Sequence, residues 1–173
     1  MVKNQLHLGN GPVGYLQSGL AFGTLSGSIL MLLLPDKKWF AQKLLLPLLS
    51  FGVEFILLGI VFLEEIGSWQ LSIWGTVIMA LIELTLAILN ITVQVRLQKT
   101  VPTRILGRII ALLTTANSSV MPLGTLFYTL FFQSNFNGGS IFIVNGIITF
   151  TYTVVLFPAL LKNIKLDNQY VER

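Results

Sequence analysis

Cysteine is absent from the 173 residues, which excludes disulfides, thiolate nucleophiles and cysteine-ligated metals. Histidine occurs once, as His7 in a polar N-terminal stretch. One imidazole without partner ligands makes no metal site. Charge is scarce as well, at 10% of residues, where a soluble domain carries about 25%. A soluble fold this poor in charge would expose large apolar patches, which soluble monomers avoid. The sequence also lacks a phosphate-binding loop, a nucleophile–base pair with an orienting third group, and an internal repeat. These absences argue against a catalytic role and against any cofactor or metal.

What is present is apolar: 54% hydrophobic residues and a mean hydropathy of +0.79. Residues 8–35 carry no charge, 44–63 carry only Glu54, 66–95 only Glu83, and 109–161 none. About 20 apolar residues cross a bilayer, so the last run, 53 residues long, holds two crossings. The turn formers in 133–140 mark the break between them. The expected fold is all-α: a single polytopic membrane domain over 1–173. Its five helices fall at about 11–34, 41–63, 70–95, 106–132 and 139–161. Barrel strands would be shorter and strictly alternating. Short loops predict that successive helices lie antiparallel and adjacent.

The net charge of +4 does not point to nucleic acid, because the basic residues border the apolar runs. Lys37, Lys38, Lys43, Arg96, Lys99, Arg104, Arg108, Lys162, Lys165 and Arg173 all fall on one side of the five crossings. Lys3, Glu64 and Glu65 fall on the other. The positive-inside rule makes the first side cytoplasmic, with the N-terminus outside, in the cell membrane. Trp39, Trp69 and Trp74 lie near helix ends, where aromatic residues anchor at the interface. The N-terminus shows no apolar h-region with a cleavage site. An N-terminus left outside without such a signal predicts further helices upstream.

Polar residues inside the runs are the candidate site. On the third helix Thr76, Ala80, Glu83, Ala87, Asn90 and Gln94 recur at spacings of three and four, on one face. Such a stripe should meet protein or water, not lipid. Glu83 lies near mid-span, where an ionised carboxylate costs about 2.5 kcal/mol or more. It must be protonated, paired or hydrated there. It is a candidate proton carrier or counter-charge for a cationic substrate; otherwise it is a neutral group bonded to a neighbouring helix. Glu54 lies at similar depth without such a stripe; the two carboxyls could share a proton if adjacent. The first helix carries Gly19, Gly23 and Gly27, which permit close helix approach, and a separate small polar stripe, Gln17, Ala21, Thr24 and Ser28. That stripe lines a cavity or meets a neighbour. In the fourth helix a polar centre around Asn117 precedes Pro122 and Gly124, a pattern of either an interrupted binding helix or a packed kink.

Gln98, Val101-Pro102 and Gly107-Arg108, with Asn90 upstream and Pro122-Leu-Gly124 downstream, resemble the tenth-to-eleventh helix region of the major facilitator superfamily. The nearest branch is the macrolide-efflux-like drug and siderophore exporters. The first helix and the following Pro35-Asp36-Lys37-Lys38 resemble helix eight and a degenerate gating loop, matched only at Asp36, Lys37 and Lys38. The resemblance covers about residues 9–162 and implies helices eight to twelve of a twelve-helix, proton-coupled exporter of a small organic solute. It implies that the helix with Glu83 lines the cavity and that the helix with Glu54 is peripheral. Arg104, Gly107 and Arg108 would join cytoplasmic gating contacts, or the arginines would serve topology alone. Beyond lipid, substrate and protons, the expected partner is a separate N-terminal half or a second copy. The alternative is a non-transporting membrane subunit that binds a partner through its glycine face.

The cysteine-free chain makes the topology directly testable. Lys38→Cys and Lys99→Cys should react with a membrane-impermeant maleimide only from the cytoplasmic side, and Glu65→Cys only from the other.

Overall fold

The computed structural model describes residues 10–33, 40–64, 67–133 and 137–171. Among them the chain is all-helical, with α1 (Asn10–Leu33), α2 (Phe40–Leu63), α3 (Ser68–Thr100), α4 (Thr103–Gln133) and α5 (Gly138–Val171). All five are long and apolar enough to cross a membrane, so this is a multi-pass membrane protein.

Two helices outrun the expected limits. α3 continues to Thr100 and α5 to Val171, each about 50 Å long at 1.5 Å per residue, against a hydrocarbon core of about 30 Å. Loss of hydrophobicity does not end a helix; a backbone breaker does. For α3 that breaker is Pro102, which holds Val101 extended at φ −91°, ψ 131°. The Pro102 carbonyl then accepts from Ile105 and Leu106 N–H, both at 3.1 Å, and opens α4. Lys43 lies in the first turn of α2 and is buried.

Short loops do not make every pair of successive helices neighbours, and that expectation is corrected. α1 packs chiefly on α3, α2 on both α3 and α5, and α4 touches α3 only slightly. Gly19 faces Thr76, Gly23 faces Ala80 and Glu83, and Gly27 faces Leu84 and Ala87. The register advances four residues on both helices, so α1 and α3 run parallel, as alternate crossings must. A Cβ at Gly19 would stand 2.6 Å from the Thr76 carbonyl oxygen, and one at Gly27 2.8 Å from that of Leu84. At Gly23 it would collide with the Ala80 carbonyl. Lipid tails give no hydrophobic drive to helix pairing, so such close packing supplies the attraction.

A second glycine seam joins α2 to α5. Gly59 meets Gly139 and Ile143, while Gly52 meets Phe150 and Gly146 meets Ile56. The numbers rise on one helix and fall on the other, so this pair is antiparallel. Phe62 stacks on Phe142 with centroids 5.9 Å apart, and Phe55 lies 6.1 Å from the same ring. Leu58 and Phe62 of α2 and Leu71, Ile78 and Ile82 of α3 form the buried core.

Overpacking a tight interface costs about 1–3 kcal/mol. Gly23→Leu should destabilise the bundle by that amount in detergent-mediated unfolding. Gly14→Leu, where a Cβ meets nothing within 4 Å, should leave it unchanged.

Candidate functional site

The glycine ridge of α1 and the polar stripe of α3 are the two halves of one contact. Thr76, Ala80, Glu83 and Ala87 all lie against the α1 glycines. The first part of the stripe is therefore a packing surface. Asn90 and Gln94, beyond the Gly27 contact on α3, are exposed. Glu83 stands within the packed part, half-buried. Thr24 Oγ1 donates to its Oε2 at 3.3 Å and to the Leu20 carbonyl at 2.9 Å, so one hydroxyl proton is divided between two acceptors. Gln17 and Ala21 on the same α1 stripe are exposed and Ser28 is half-buried, its hydroxyl donating to the Thr24 carbonyl.

Two turns from Glu83 toward the start of α3, a groove of about 200 Å³ opens between α1 and α3. Tyr15, Trp69, Ser72, Ile73, Thr76 and Val77 line it. Tyr15 and Trp69 meet edge-to-face there at 6.2 Å. The groove, Thr76 and Glu83 thus follow one seam.

Glu54 occupies a different environment. It is 8% exposed. α2 sits between α3 and α5, and Thr85 Oγ1 of α3 donates to Glu54 Oε1 at 2.8 Å. Its Oε2 is buried and accepts no hydrogen bond. Thr85 and Glu83 are two residues apart, about 200° around α3. One faces α2 and the other α1, so the two carboxyls do not pair across α3. Buried Thr92 and Thr153 add hydroxyls to the interior, each bonded to the carbonyl four residues earlier.

The fourth-helix candidates are left open. Residues 110–123, Asn117 included, are exposed throughout. Thr114 and Ser119 turn their hydroxyls back onto the Ile110 and Thr115 carbonyls. The helix runs on through Pro122 without interruption. Arg104, Gly107 and Arg108 are exposed in its opening turns, and a Cβ at Gly107 would meet nothing. Asp36, Lys37 and Lys38 lie outside the described residues. Among the described residues no cluster of His, Cys, Asp or Glu is able to hold a metal.

The structure adds two groups that stripe-reading passed over: Thr85 as the partner of Glu54, and the α2–α5 glycine seam. Gly52 and Gly59 repeat at seven residues, as do Gly139 and Gly146. That heptad spacing is a usable signal.

Hydrogen bonds within membrane bundles contribute about 0.6 kcal/mol on average and up to about 1.7. Thr85→Val should cost near the upper figure, because it leaves a buried acceptor without its donor. Thr24→Val should cost less, the Glu83 contact being long and half-exposed. Unfolding of both variants in bilayers would rank them. No protein-family model, curated protein or solved structure matches the chain.

Proposed function

We propose that the chain is part of a secondary-active transporter of the cell membrane that exchanges protons for a small organic solute. Glu83 takes and releases the proton or meets a cationic solute, and Asn90 and Gln94 line the same path. One observation carries this reading. Glu83 is neither sealed nor firmly bonded: it sits half-open on a polar seam, with one long contact to Thr24. An intramembrane carboxylate that served packing alone would be enclosed and matched by donors. The aromatic groove two turns away suits an apolar solute. The loop residues around Val101-Pro102 and Gly107-Arg108 keep the link to major facilitator exporters as part of the same proposal.

The uncovered α4 supports a shared site. Among the described residues its polar centre is exposed, while α4 touches α3 slightly and α5 through Tyr128 and Asn145. Alternating access requires two bodies that rock about a site between them. In this reading α4 meets helices of an N-terminal half or of a second copy. The same exposed face favours the second reading, a non-transporting membrane subunit. Its partner would bind α4, because the glycine face of α1 is already filled by α3.

Glu83→Gln should abolish proton-driven solute efflux from vesicles containing the complete assembly, with the bundle still folded. Undiminished efflux removes Glu83 from the mechanism, and an assembly that never transports leaves the subunit reading.

A further inference from the structure

We infer that Glu54 is a proton-binding site, with the proton on Oε2, separate from Glu83. The two oxygens of this carboxyl are not equivalent. Oε1 accepts the Thr85 hydroxyl at 2.8 Å, as the carbonyl oxygen of a neutral acid would. Oε2 is buried and receives no donor. An ionised carboxylate spreads its charge over both oxygens and needs donors at both; a carboxylic acid needs a donor at one and an acceptor at the other. Ser50 supplies that acceptor. It lies against Glu54 one turn earlier on α2, and its own proton goes to the Pro47 carbonyl at 3.0 Å. Its oxygen is left to accept. A small rotation of the Glu54 carboxyl then completes a chain from Oε2–H to Ser50 Oγ and from Ser50 Oγ–H to Pro47 O.

Among the described residues no counter-charge stands in for the proton. From α3 the group facing Glu54 is Thr85, while Glu83 projects to α1. Arg96 and Lys99 lie three turns or more beyond Thr85. On α5, Tyr152 and Lys162 are exposed, and the buried polar residue is Thr153. On α2 itself Lys43 shares the buried face, but three turns away. The proton therefore comes from the aqueous phase and goes onto Oε2, turning a carboxylate into an acid with no other bond changed. Because α3 carries Thr85 on one face and Glu83 on another, loading Glu54 acts on the same helix that holds the transport candidate.

Infrared spectroscopy of the full chain in phosphatidylcholine vesicles at neutral pH tests this without any substrate. The expected spectrum contains a protonated-carboxyl C=O stretch that Glu54→Gln loses and Glu83→Gln keeps. Thr85→Val should move that band to higher wavenumber, since Oε1 no longer accepts a hydrogen bond. If Glu54→Gln does not assemble, the Thr85→Val displacement within the native carboxyl carries the test. A difference spectrum holding only carboxylate bands overturns the assignment, as does an acid band unmoved by Thr85→Val. Neither outcome bears on whether Glu83→Gln stops transport, so the two proposals fail separately.

Discussion

Three missing side chains on α1 let its backbone lie against that of α3, and the rest of the bundle is arranged around that approach. Gly19, Gly23 and Gly27 bring α1 within contact of the Thr76, Ala80 and Leu84 carbonyls. In a bilayer this matters more than in water, because apolar side chains gain nothing by leaving lipid for one another. Close packing needs small residues, and the four-residue repeat puts them on one side of the helix. The α2–α5 seam solves the same problem with a seven-residue repeat on antiparallel helices. α3 and α2 then hold the two pairs together through Leu58, Phe62, Leu71, Ile78 and Ile82.

Fixing α3 between α1 and α2 separates the two intramembrane carboxyls. Glu83 faces the parallel α1 and receives a long contact from Thr24. Glu54 faces the antiparallel α3 and receives a short one from Thr85. Similar depth in the sequence thus leads to unlike environments, one half-open and one closed.

α4 is the exception to this packing. Its start is joined to α3 through Val101-Pro102, yet residues 110–123 are exposed throughout among the described residues. The Thr114 and Ser119 hydroxyls bond to carbonyls of their own helix, which lowers the cost of their exposure in a membrane. Asn117 has two donors and an acceptor that local bonding does not absorb.

The sequence by itself determined the five crossings, the membrane class, the break in 133–140 and both stripes of small and polar residues. Those are local properties: hydropathy is summed along one segment and periodicity around one helix. It also placed Glu83 on a face that avoids lipid. Tertiary structure alone decided that the glycine ridge of α1 seats on the α3 stripe, which turns two separate candidates into one contact. It decided too that Glu54 is buried against Thr85 of α3. The physical reason is common to both. A bilayer tells each helix only that it must cross; which helices then meet depends on the match of surface shape and polar groups between segments far apart in the chain.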